Sequence, residues 1–151
     1  MLSKILILSK YDTTGGPMAA AFLTQQLQAL QDTEHAVQSA GIMARPSDSI
    51  GIGARQALAE AGIPLAHIGA TPLIFKEIQT SDLIVCLSQE VRSLLKSRFH
   101  FDGPKAILLM PLAGSDKDVL EAKSASPEAN RRCLEQMKPA LTILAQRLAG
   151  K

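Results

Sequence analysis

The segment that most constrains the fold is a strand, a polar turn and a helix in immediate succession near the N-terminus. Lys4-Ile5-Leu6-Ile7-Leu8 has the length and near-continuous apolar character of a buried parallel strand, and Pro17-Met18-Ala19-Ala20-Ala21-Phe22-Leu23 opens a helix with proline at a favoured first position. Between them lies the loop Ser9, Lys10, Tyr11, Asp12, Thr13, Thr14, Gly15 and Gly16. A turn of this kind brings unpaired backbone N–H groups and the positive end of a helix dipole to one place, so it is a candidate anion site.

Three further segments read as strands: Ala36 to Ser39, Leu83 to Leu87 and Ala106 to Met110. Helical patterns separate them, and this alternation implies a parallel sheet. The first helix, Pro17 to about Leu30, sets Met18, Phe22, Leu23, Leu27 and Leu30 on one face. A second, near Ile52 to Ala61, stops at Gly62 ahead of Pro64. A short helical piece is expected over Pro72 to Ile78, and another helix is expected to start after Ser88 and run from Gln89 toward Phe99. The last begins with Ser126 as N-cap, Pro127 and Glu128, and continues to about Ala149, with Pro139 expected to kink it near Glu135. The expected architecture is therefore one α/β domain over 1–151, an open parallel sheet of about four strands with helices on both faces. Ligands of such folds lie beyond the carboxyl ends of the strands, which is where Ser9 to Gly16 fall.

Composition narrows the function classes. A formal net charge of +2, no Trp and a single Tyr argue against nucleic-acid binding. Leu2 to Leu8 is too short for a membrane span or secretion signal, so a cytoplasmic location is expected, without membrane association. His35, His67 and His100 show no metal-ligand spacing with one another or with Cys86 and Cys133, so no metal and no cofactor are expected. Both cysteines lie in apolar patterns and read as buried, inert thiols.

The ordered set of motifs resembles the low-molecular-weight protein tyrosine phosphatases over nearly the whole chain. Pro17-Met18-Ala19 after the first strand is similar to the end of that family's catalytic loop, Ser-Pro-Met-Ala, and Ser39-Ala40-Gly41 to its Ser-Ala-Gly. Ala54 to Ile63 resembles its second helix, Ser81 to Leu87 its third strand, and Met110 to Asp118 its Asp-Pro loop with the Gly-x-Asp-x-Asp stretch after it. The family hydrolyses phosphate monoesters with a loop cysteine, an arginine that clamps the phosphoryl oxygens and an aspartic acid that protonates the leaving group. Counting back from Pro17, the resemblance places Ser9 at the cysteine, Gly15 at the arginine and Met110 at the acid.

A serine hydroxyl is not ionised by a loop dipole alone, no base is apparent in the loop, and a glycine cannot clamp a phosphoryl group. Asp12 replaces the family's asparagine and places a carboxylate in the cradle; Tyr11 replaces a glycine. Lys10 is a surface lysine that could reach over the loop, and Thr13 and Thr14 offer hydroxyls that are usually caps or turn-formers. With no loop cysteine and Ser93 seven residues after Cys86, the thiol relay of the related arsenate reductases cannot be assembled either.

The leading reading is a phosphatase-like protein without catalysis, a regulatory module whose loop binds phosphate, another anion or a protein partner. One alternative is a hydrolase or phosphatase with altered chemistry, using Ser9 or Asp12. Another is a homo-oligomeric interaction protein with Tyr11 at its interface, although the sequence leaves the oligomeric state open.

Overall fold

The structure is a computed structural model that describes residues 2–151. Four parallel strands, β1 (Ser3–Ser9), β2 (His35–Gly41), β3 (Leu83–Cys86) and β4 (Ala106–Leu108), lie in the order β2-β1-β3-β4. The register pairs Ile5 with Val37 on one side and with Leu83 on the other.

Alternation along β1 divides the core in two. Ile5 and Ile7 face one layer, packed against α1 (Gly15–Ala29), α2 (Ile52–Glu60) and α5 (Pro127–Leu148). Leu6 and Leu8 face the other, packed against α3 (Phe75–Thr80) and α4 (Gln89–Phe99). Each strand is thus covered on both faces, which explains why the strands read as apolar runs rather than as alternating patterns. A 3-10 turn, Met110–Ala113, follows β4.

Several helix ends follow from their sequence signals. Ser88 and Ser126 cap α4 and α5, their hydroxyls accepting from the amides of Val91 and Ala129 at 3.2 and 3.1 Å. Gly62 adopts the left-handed conformation after α2, with φ of 69°. Pro139 lies inside α5 without ending it. The expected piece over Pro72 to Ile78 is displaced: Pro72 forms an isolated parallel bridge with Gly41, and the helix begins only at Phe75. The first helix begins earlier than the sequence suggests, at Gly15 rather than Pro17. The strand order reverses direction at β1, between β2 and β3, so the loop after β1 opens at the switch point of the sheet.

Candidate functional site

The Ser9–Gly16 loop is held from three sides. Ile42 and Met43, just past β2, donate their amides to the carbonyls of Ser9 and Lys10 at 3.0 and 2.7 Å. Gly51 donates to the Thr13 carbonyl at 2.7 Å. Thr71 donates to the Asp12 carboxylate, Oδ2, at 2.8 Å. Gly41 is required for this arrangement, because a Cβ there would stand 2.7 Å from the Tyr11 carbonyl carbon and 2.8 Å from the Asp12 nitrogen.

Asp12 sits at φ of 58°, a conformation that short polar side chains tolerate, and only 1% of its surface is exposed. Its side chain does not project into the cradle as the sequence suggested. It turns behind the loop, where Oδ2 takes the Thr71 amide and Oδ1 has no hydrogen-bond partner. Burial pushes its carboxyl up to about 6; the Thr71 amide, the nearby Ser39 hydroxyl and His67 pull less strongly the other way. The Ser39 hydroxyl is buried and, like Oδ1, completes no hydrogen bond.

The remaining loop side chains are placed as follows. Ser9 is 2% exposed, and its hydroxyl accepts from the Asp12 amide at 3.1 Å. Among the described residues no carboxylate or imidazole hydrogen-bonds to it. Lys10 does not reach over the loop: its Nζ pairs with Glu90 at 3.3 Å and lies 5.5 Å from the Tyr11 ring centre. Tyr11 is 41% exposed. Thr14 precedes α1 without capping it through its side chain; its hydroxyl donates to Glu121 Oε2 at 3.3 Å.

Gly15 and Gly16 face opposite demands. A Cβ on Gly15 would point at Leu87, Cys133 and Val119, with the Leu87 methyl at 3.3 Å. Met110 is buried in the same apolar cluster. A Cβ on Gly16 would instead point at Ser9 Oγ, 2.7 Å away, and Asp12 Oδ1, 3.2 Å away. The thiols of Cys86 and Cys133 are buried and pushed up to about 12 by desolvation, so neither is available as a thiolate nucleophile.

The amides of Lys10, Tyr11, Thr13, Thr14, Gly15 and Gly16 find no acceptor among the described residues, and α1 has no acidic residue in its first turn. Beside the loop, Tyr11, Thr13, Arg45, Asp48 and Gly51 line a cleft of about 330 Å³, in which Arg45 pairs with Asp48 at 3.3 Å. Arg45 was not anticipated from the sequence. Its position just after β2 was the available signal, since the carboxyl ends of parallel strands converge on one crevice.

The sequence model of the low molecular weight phosphotyrosine protein phosphatases matches residues 4–151. The chain belongs to this family. It is 26% identical over 145 residues to the protein-arginine-phosphatase of Bacillus subtilis, spanning 95% of each chain. A mutant of YwlE from Bacillus subtilis superimposes with a TM-score of 0.88 at 25% identity, covering 97% of this chain and 98% of that one. A second YwlE structure is a cysteine-to-serine variant of that arginine phosphatase with a phosphorylated active-site serine. It gives a TM-score of 0.87 at 26% identity, over 96% and 95% of the two chains. The family membership and the four-stranded α/β fold expected from the sequence are therefore established.

Proposed function

We propose that this chain is a non-catalytic member of the family that retains the loop after β1 as a binding site for an anion, free or carried by a protein partner. The observation that carries this reading is the pairing of six open loop amides with a buried Ser9 hydroxyl that has no base hydrogen-bonded to it. The amides provide donors at a helix N-terminus, where an anion gains from the dipole. No carboxylate or imidazole hydrogen-bonds to the hydroxyl to take its proton, and the Cβ direction of Gly15 points at apolar side chains, the nearest 3.3 Å away.

The phosphorylated serine in the YwlE variant suggests the sharpest test, because the resemblance places Ser9 at the family's loop cysteine, the residue type that this variant replaces with serine. The chain is incubated with an aryl phosphate between pH 5 and 8, and both phenol release and the intact mass of the protein are followed. No sustained release is expected, with at most one phosphoryl group retained per chain. Continuous turnover that Ser9→Ala abolishes would establish the alternative, a phosphatase with altered chemistry. The exposed Tyr11, with Lys10 near its ring, favours a second use of the same mouth as a protein interface. Light scattering of the protein and of Tyr11→Ala tests this, since an oligomer lost in the variant would place Tyr11 at the contact.

A further inference from the structure

The outer edge of β2 carries a feature unrelated to the loop's chemistry. Residues of β2 alternate between facing β1 and facing away with both backbone groups. Gly41 faces away, and its N–H and C=O bond to Thr71 and Leu73, both at 2.9 Å, so the 71–73 segment already behaves as a short added parallel strand. At the other end of the same row, the His35 amide donates to Asp32 Oδ1 at 3.0 Å. Between these satisfied ends, the outward N–H and C=O groups of Val37 and Ser39 have no partner among the described residues.

These groups do not simply face open water. They border a cavity of about 580 Å³ that wraps the β2 edge on both faces. On one side its wall is Ala20, Ala21 and Leu65; on the other it is Pro72 and Ile74. The buried, unpartnered hydroxyl of Ser39 also belongs to the lining. A row of paired donors and acceptors flanked by apolar walls above and below is what an extended chain requires, because its side chains alternate between the two faces while its backbone bonds to the edge.

We propose that the β2 edge between Val37 and Ser39 is a strand-addition site for an extended segment of a partner protein, about three residues long at ~3.3 Å each, with small apolar side chains. The occupant continues the row that the chain's own 71–73 segment begins at Gly41. Small side chains suit the walls, since Ala20 and Ala21 leave room on the α1 side that a large residue would have filled.

The test is an amide NMR titration of the whole protein with the capped peptide acetyl-Lys-Val-Ala-Val-Lys-amide, up to about 10 mM, a range that detects the millimolar affinities of single short strands. The expected result is saturable shifts centred on the Val37 and Ser39 amides, with hydrogen exchange of both slowed by roughly tenfold at saturation. The same peptide N-methylated at its three central amides should produce neither effect. Ala21→Phe, which fills the α1 side of the cavity, should abolish binding while the remaining amide spectrum is retained. Absence of shifts with the unmodified peptide, or equal binding of the N-methylated one, overturns the proposal. The second result would mark an apolar small-molecule cavity instead. Val37 and Ser39 shifts that depend on protein concentration alone also overturn it, since they would assign the edge to a second copy of this chain.

Discussion

Asp12 meets two opposed demands at one position. The loop needs a residue that tolerates φ of 58° and can accept the Thr71 amide, and an aspartate supplies both. Yet burial disfavours its charge, so its carboxyl is raised from 3.8 to about 6. A raised folded value means that the native state holds the proton more tightly than the unfolded chain. The associated stabilisation is complete below about pH 3.8 and is lost as pH rises through about 6. A change of this size corresponds to about 3 kcal/mol. Asp12→Asn should remove the penalty: its amide oxygen keeps the Thr71 bond, and its NH₂ carries no charge for burial to disfavour. Thermal unfolding at pH 7.5 should show Tm raised by roughly 3–8 °C, with a flatter profile between pH 4 and 7. An unchanged Tm and an unchanged profile would show that Asp12 is not under this strain. The left-handed requirement was readable from an aspartate standing where the family has asparagine. The direction of the side chain was not, because its partner, Thr71, lies 59 residues away on a segment whose pairing with Gly41 leaves no local signature.

At the junction of loop and helix, propensity and packing disagree about Gly16. In an exposed helix, Gly→Ala stabilises by about 1 kcal/mol. Here the added methyl would stand 2.7 Å from Ser9 Oγ, in a site where both residues are buried. A contact that short outweighs the propensity gain, so Gly16→Ala should destabilise by roughly 1–3 kcal/mol. Ser9→Ala removes the nearest obstacle, and the double variant should recover part of the loss; a double-mutant cycle by chemical denaturation would read a favourable coupling of about 1 kcal/mol. Strictly additive effects would mean that the junction yields by moving backbone rather than by meeting Ser9. The same conflict hides the start of α1, which the sequence signals at Pro17 and the structure sets two residues earlier, at Gly15. Two consecutive glycines signal a loop, whereas here both enter the helix, and at Gly16 the close approach of Ser9 Oγ leaves no space for a Cβ. By contrast, α4 and α5 were legible to the residue at their starts, since Ser88 and Ser126 cap them through local bonds that need no tertiary partner.

For the whole molecule, the sheet and its two helical layers were legible because burial on both faces writes apolar runs directly into the chain, and these runs recur between well-marked helices. The binding properties of the loop depend on something less local, the charges that the fold gathers around it. Lys10 is paired with Glu90, Arg45 with Asp48, and Glu121 accepts from Thr14, so these two cations are offset and a further carboxylate stands beside the loop. The open amides and the helix dipole, equivalent to about half a positive charge, must attract an anion against this field and against Asp12. Sulfate should therefore bind weakly at neutral pH, and binding should tighten as pH falls through about 6 and Asp12 becomes neutral. A unit charge at an effective dielectric of about 20 is worth about 4 kcal/mol at about 4 Å and less farther off, and salt screening reduces it, so an increase in affinity of roughly tenfold between pH 7.5 and 5 is expected. By linkage, bound sulfate must raise the Asp12 carboxyl by the corresponding amount, which NMR titration of that side chain reads directly. In Asp12→Asn the affinity should be higher at pH 7.5 and nearly independent of pH. A wild-type affinity that stays flat from pH 5 to 8 would mean that Asp12, although it shapes the loop, does not govern what the loop binds.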